Sequence, residues 1–365
     1  PTLVERAERI AVTQVRPRSE LEQIIAGARS AGREVRYLPA YRADTTLLLA
    51  KLVGGAPSVE LIRAVVEQRS CKSAEEIAEI EKAVATSVAM HEAAIRVGRP
   101  GGSERAVAAD VERIAMAAGG RIAYPVIGTI NGQTLHNHVH PNDLAAGDLF
   151  LLDAGAETEL GYAGDLTTTF PVSDDFNARQ REMHDIVMRA YQAAVDAIAP
   201  GVSNRTVHFA AARVIFEGMK DLGIMKGDTD EALAAGAHAL VFPHGIGHMM
   251  GLDVHDMESL GEDHVGYDGE PRSTQFGLNS LRLARKLEPG FVLTIEPGIY
   301  FIPQLIDAWR SRRHCSEFVD FDALARWRDL HGIRNEENYL VTHEGARRLG
   351  PRKPQTIEEI RAARG

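Results

Sequence analysis

The feature that most constrains this chain is an internal repeat. Residues 93–107 (AAIRVGRPGGSERAV) match residues 193–207 (AAVDAIAPGVSNRTV) at an offset of one hundred, with seven of fifteen positions identical. A second match joins 144–156 (LAAGDLFLLDAGA) to 287–299 (LEPGFVLTIEPGI), aligning Gly147 with Gly290, Gly155 with Gly298 and Asp153 with Glu296. Either match alone could be two helix–turn–helix units sharing composition. Both in the same order indicate a duplicated unit, because each half then reads as helix, Pro-Gly-x-Ser turn, helix and strands ending in a carboxylate. The expected fold class is therefore α+β with an internal pseudo-two-fold.

Local signals divide the chain. Ser73-Ala-Glu-Glu76 has the form of a capping box, in which hydroxyl and carboxylate satisfy opposite orphan N–H groups. Ile77, Ile80, Val84, Val88 and Ile95 then recur at helical spacing, the periodicity of a buried helix face. Gly98 and Pro100 end that helix, and Ser103 caps the next. Residues 1–72 read as a short α/β domain, with helices near 19–31 and 58–67 and an extended 34–38. This domain is smaller than usual, so truncation is one expectation. Residues 73–350 form the main domain and 351–365 a C-terminal tail.

Composition narrows the functional classes. The 365 residues carry 41 Lys+Arg against 51 Asp+Glu, a net charge of −10, so nucleic acid is not an expected partner. No apolar run reaches the length of a membrane span, and the first residues lack a signal-peptide core. Cys71 and Cys315 are too far apart in sequence for a metal knuckle. The expected localisation is cytoplasmic.

Part of the acidic surplus is placed where charge is costly. Asp153 follows the apolar run 149–152, and Asp165 lies twelve residues on in GYAGDLTTTF. Two short strands would bring these acids together, and a divalent cation would relieve their repulsion. The second half supplies Glu296 after Val-Leu-Thr-Ile, Glu336 in GIRNEENYLVT, and His244, His248 and His255 within twelve residues. Taken singly, Asp153 could turn the chain, Asp165 could be a loop acid and Glu296 could open a turn. Glu336 could join Glu337 on the surface, and His248 could be a core histidine. Placed symmetrically in a duplicated domain, the set suits two Mn²⁺, Co²⁺ or Zn²⁺ ions about 3.5–4 Å apart.

The motifs LLDAGAE…GYAGDLTTTFP, HGIGHMMGLDVHD, LEPGFVLTIEPGIYF and GIRNEENYLVT resemble, in order, those of the pita-bread metallopeptidases. That family includes methionine aminopeptidase, aminopeptidase P and prolidase. The resemblance spans roughly residues 70–350 and implies a pita-bread fold with two divalent metal ions, Mn²⁺ foremost. It implies the ligands Asp153, Asp165, His248, Glu296 and Glu336, with Asp165 and Glu336 bridging. Glu296 is the implied proton carrier, and His136 and His255 are the implied stabilisers of the reacting carbonyl. His244, His255, Arg282 and Arg334 are implied to bind substrate.

Within the family the segment 280–290 and the long stretch between Glu296 and Gly332 are most similar to bacterial prolidases. There Arg282 would receive the carboxylate of an Xaa-Pro dipeptide, a bidentate recognition suited to a guanidinium. The implied activity is hydrolysis of the bond before proline, by a homodimer. The alternatives are an aminopeptidase P acting on longer peptides and a non-enzymatic binding relative. Asn335 and Thr168 depart from the family pattern. Strand alternation points Asn335 away from the metal side.

Overall fold

The computed structural model describes residues 3–6, 12 and 14–365. The chain divides between Gln68 and Arg69 into two compact units, four residues ahead of the expected boundary. Helices α1 (Leu3–Arg6), α2 (Leu21–Ser30) and α3 (Ala43–Val53) lie in the first unit, and α4 (Val59–Ser70) runs to the division. Residues 34–38 carry no ladder, so the described part of this unit has helices and no paired strand. The Tyr37 hydroxyl instead ties this segment to the Gly55 carbonyl at 2.7 Å.

The second unit opens on the capping box: Glu76 N–H donates to Ser73 Oγ at 3.3 Å and Ser73 N–H to Glu76 Oε2 at 2.8 Å. Helix α5 (Ala74–Val97) buries Ile80, Val84, Val88 and Ile95, each side chain contributing roughly 1.5–3 kcal/mol of transfer free energy. It is followed by α6 (Glu104–Ala117), β1 (Arg121–Ile122), β2 (Ile127–Thr129), β3 (Leu149–Ala154), β4 (Ala156–Glu157) and β5 (Leu166–Pro171). The second half repeats the pattern with α7 (Ala178–Asp196), α8 (Asn204–Asp221), α9 (Thr229–Ala235), β6 (Val292–Ile295) and β7 (Gly298–Tyr300). It closes with α10 (Pro303–Arg312), α11 (Phe321–Ala325), β8 (Gly332–Arg334), β9 (Glu337–Thr342), β10 (Gly345–Arg348) and α12 (Ile357–Arg364).

The duplication extends to individual hydrogen bonds. Gly101 N–H donates to Leu144 at 2.9 Å and Gly201 N–H to Leu287 at 2.8 Å; Glu104 N–H meets Asn142 and Asn204 N–H meets Arg285, each at 3.0 Å. Gly101 and Gly201 have φ of 86° and 83°, and Gly147 and Gly290 have 99° and 96°, a region open to glycine at little cost. Antiparallel sheets β2-β3-β5 and β10-β9-β6 form the inner layer, joined by the Thr167–Glu336 bridge. Helices α5 and α7 pack on them. This is the pita-bread architecture.

Residues 351–365 are not a loose tail. Lys353 is fully buried and donates to Asn335 Oδ1 at 2.6 Å. The Arg364 guanidinium donates to the Val172 carbonyl at 3.0 Å. Asn335, directly after β8, meets Lys353 and Gln355, and Thr168 on β5 meets His91 on α5. Among the described residues no helix is long and apolar enough to cross a membrane.

Candidate metal centre

The inner faces of the two sheets converge on one cavity of about 430 Å³. Asp153 is the fifth residue of β3, opposite Thr167, and Asp165 immediately precedes β5. The Asn338 side chain clamps the Asp165 backbone from both sides, accepting its N–H at 3.0 Å and donating to its carbonyl at 2.6 Å. Glu296 follows β6, its N–H donating to the Ile246 carbonyl at 2.8 Å. Glu336 bridges β8 to β9, its N–H donating to the Thr167 carbonyl at 3.0 Å.

The glycines around His248 have a steric cause. The segment carrying His248 runs beside β6, with Thr294 N–H donating to the His248 carbonyl at 3.0 Å. A Cβ on Gly247 would stand 2.0 Å from the Thr294 carbonyl oxygen. Only glycine allows that approach.

Asp165, His248 and Glu336 each offer a ligand atom, all within 4.8 Å of one another. The His248 ring donates Nδ1–H to the Met249 carbonyl at 3.0 Å, which leaves Nε2 unprotonated. That lone pair faces Asp165 Oδ2 at 3.3 Å and Glu296 Oε1 at 3.8 Å. A lone pair and two carboxylates around one point require a cation or shared protons. Burial, reinforced by Asp153, pushes the Asp165 carboxyl up to about 8. Burial also raises Glu296 well above the usual range, with Glu336 adding repulsion, and raises Glu336, with Asp165 next. Carboxyls strained in this way, an imidazole with its lone pair turned inward and hard oxygen donors together fit divalent cations.

Several groups around these ligand-type residues carry no signal in the sequence. The Tyr124 hydroxyl lies 2.6 Å from Asp153 Oδ1 and also contacts Asp165 Oδ1. The Thr167 hydroxyl donates to Glu336 Oε2 at 2.7 Å. Neither position carries a residue type that signals a metal ligand; Thr167 comes to Glu336 through the β5 bridge and Tyr124 reaches the aspartates from the β1–β2 connection.

Arg334 and His244, expected as substrate contacts, both line the cavity and also hold partners within the protein. Arg334 is buried, and each part of its guanidinium donates within the protein. Nε reaches Thr167 Oγ1 at 3.0 Å, Nη1 the Tyr300 oxygen at 2.8 Å, and Nη2 Asp153 Oδ2. The Tyr300 hydroxyl in turn meets His244 Nε2 at 2.8 Å, while His244 Nδ1 donates to the Gly245 carbonyl at 2.8 Å. Burial holds His244 at about 3, so this chain orders a neutral ring.

His136, His138, His255 and Arg282 line the cavity with Ile127, Leu135 and Val254. His255 packs edge-on against His248, ring centroids 4.4 Å apart, and its Nδ1 pairs with Glu258 Oε2 at 3.0 Å. Arg282 Nη1 donates to Glu258 Oε1 at 2.5 Å and to Glu262 Oε1.

A duplicated α+β unit with carboxylates and a histidine gathered between its halves defines a metal-binding hydrolase scaffold. Residues 78–343 match Metallopeptidase family M24, and the chain belongs to that family. It is 35% identical over 320 residues to the Xaa-Pro aminopeptidase of Escherichia coli, covering 86% of this chain and 64% of that protein. It is 39% identical over 224 residues to human Xaa-Pro dipeptidase, covering 61% of this chain and 44% of that one. An alanine variant of Escherichia coli aminopeptidase P superposes with TM-score 0.78 at 30% identity, covering 98% of this chain and 77% of that chain. The chain thus spans less than two thirds of the length of these two sequence relatives.

Proposed function

We propose that this chain hydrolyses the peptide bond between an N-terminal residue and proline, in peptides that continue beyond the proline. The observation that carries the reading is the single cavity in which Asp153, Asp165, His248, Glu296 and Glu336 meet apolar walls at Ile127, Leu135 and Val254. Its volume suits a short peptide. The five ligand-type residues would hold two divalent ions, Mn²⁺ foremost given the oxygen-rich set, with Co²⁺ or Zn²⁺ tolerated. Such ions would supply Lewis acidity to the carbonyl and acidify a water.

The chain's own groups account for the remaining work. Glu296 would carry the proton from water to the leaving imino nitrogen. His255 and His136 would hydrogen-bond the reacting carbonyl or the substrate backbone. Arg334 and Tyr124 would keep Asp153 and Asp165 in position. The tertiary amide before proline has no N–H to offer a strand-like partner, so recognition would fall to the apolar wall of Ile127, Leu135 and Val254.

A second reading, a dipeptidase confined to Xaa-Pro, is favoured by Arg282 in the cavity wall and by the identity to human Xaa-Pro dipeptidase. The deciding assay follows hydrolysis of Gly-Pro, Ala-Pro, Leu-Pro and an Xaa-Pro-Xaa tripeptide by the Mn²⁺-loaded chain. Glu296→Gln is expected to abolish turnover with folding intact; retained peptidase activity would refute its proton-carrying role.

A further inference from the structure

We propose that Glu262, with Glu258, acts as an internal carboxylate clamp on Arg282 that disfavours substrates ending at the proline. The inference rests on the Xaa-Pro reading above and deepens it by assigning the residues that set substrate length. Arg282 is a cationic side chain in the cavity wall, and a guanidinium there would receive the carboxylate of a dipeptide. Its charge is already engaged: Nη1 serves Glu258 Oε1 and Glu262 Oε1 together. Arg272 Nη1 binds Glu262 Oε2 at 2.8 Å and approaches Asp263 Oδ1 at 3.4 Å. Two guanidiniums thus face three carboxylates. An incoming carboxylate meets net negative charge, whereas the amide of a longer peptide does not.

The arrangement is built into the backbone. Residues 263–267 form one wide helical turn (Asp263–Tyr267), a form concentrated at functional sites. The Gly266 carbonyl accepts from Ala284 and Arg285 N–H, both at 2.8 Å. A Cβ at Gly266 would stand 1.8 Å from the Arg282 carbonyl oxygen. The turn therefore presses directly on the backbone of Arg282 and holds Glu262 against its side chain. Glu262 does not touch His255, so it is the cleaner position to change.

The test is Glu262→Gln in the full chain, assayed with Ala-Pro and Ala-Pro-Ala. The expected result is a KM for Ala-Pro lowered about fivefold with kcat unchanged and little change for Ala-Pro-Ala. Glu262→Asp should keep the wild-type ratio, and Arg282→Met added to Glu262→Gln should erase the gain. Calorimetric titration of the metal-free chain with a reduced-bond Ala-Pro analogue and its C-terminal amide gives the same comparison without turnover. If no Xaa-Pro substrate is hydrolysed, the peptidase reading fails, while a carboxylate-over-amide gain in Glu262→Gln still supports the clamp. An unchanged carboxylate-to-amide ratio overturns it, as does the absence of binding by both forms.

Discussion

His248 turns an unprotonated Nε2 toward Asp165 Oδ2 at 3.3 Å, because its Nδ1–H is committed to the Met249 carbonyl. The backbone hydrogen bond selects the tautomer able to ligate, so the proposed cation would need no turn of the ring. Replacing His248 by Ala or Asp165 by Asn should lower the Mn²⁺ retained after dialysis, read by elemental analysis. Stoichiometry equal to wild type in both variants would remove the pair from the centre.

Tyr124 joins the two aspartates through one hydroxyl. Tyr124→Phe keeps the ring and deletes that oxygen. Metal affinity is expected to fall by about tenfold, the lower end for outer-shell partners. Competition with a chelator measures it, and an unaltered affinity counts against the bridge.

Arg334 is the buried cation among the site carboxylates. Arg334→Ala leaves Asp153 without its partner and is expected to destabilise the metal-free chain by about 3–5 kcal/mol. Urea unfolding gives the value. Saturating Mn²⁺ should recover part of it, because an ion that binds only the native state adds stability. A loss below about 1 kcal/mol would mean water reaches the carboxylates.

The fully buried Glu104 organises the strand-to-loop segment leading to His136. Its Oε1 accepts from Thr129 Oγ1 at 2.8 Å, Ile130 N–H at 2.9 Å and Asn142 Nδ2 at 2.9 Å. Glu104→Ala orphans these donors and should cost about 3 kcal/mol. Hydrogen exchange should quicken across residues 130–142. Slow exchange there would show that the loop holds itself.

His208 and His238 are fully buried with ring centroids 5.8 Å apart. Burial pushes His238 down to about 4, and burial, then His238 and His244, pushes His208 well below the usual histidine range. Both must be neutral when folded, so the unfolded chain binds more protons below its histidine value of about 6.5. Their contribution is complete above that value and declines as pH falls toward the folded values. His238 alone should remove about 2 kcal/mol between pH 7 and 5. Urea unfolding of wild type and His238→Phe over that window should show a shallower slope in the variant. Parallel slopes would contradict it.

The sequence alone determined the duplication, because paired turns require glycine and a capping serine at fixed intervals and so leave identities behind at Gly101/Gly201 and Ser103/Ser203. It also determined the ligand-type residues, since a carboxylate after an apolar strand, as at Asp153 and Glu296, has few inexpensive explanations. Tertiary structure decided how these charges are managed. Tyr124, Thr167 and Asn338 bear common residue types, and their roles exist only because the β1–β2 connection, β5 and β9 meet around Asp153, Asp165 and Glu336. Arg334 and His244 read as substrate contacts in sequence, and the structure adds the partners each holds inside the protein, Asp153 for Arg334 and Tyr300 for both. Arg282 shows the same limit from the other side. Its charge was plain in the sequence, but its availability depends on Glu258 and Glu262, brought to it by a turn that linear spacing does not reveal.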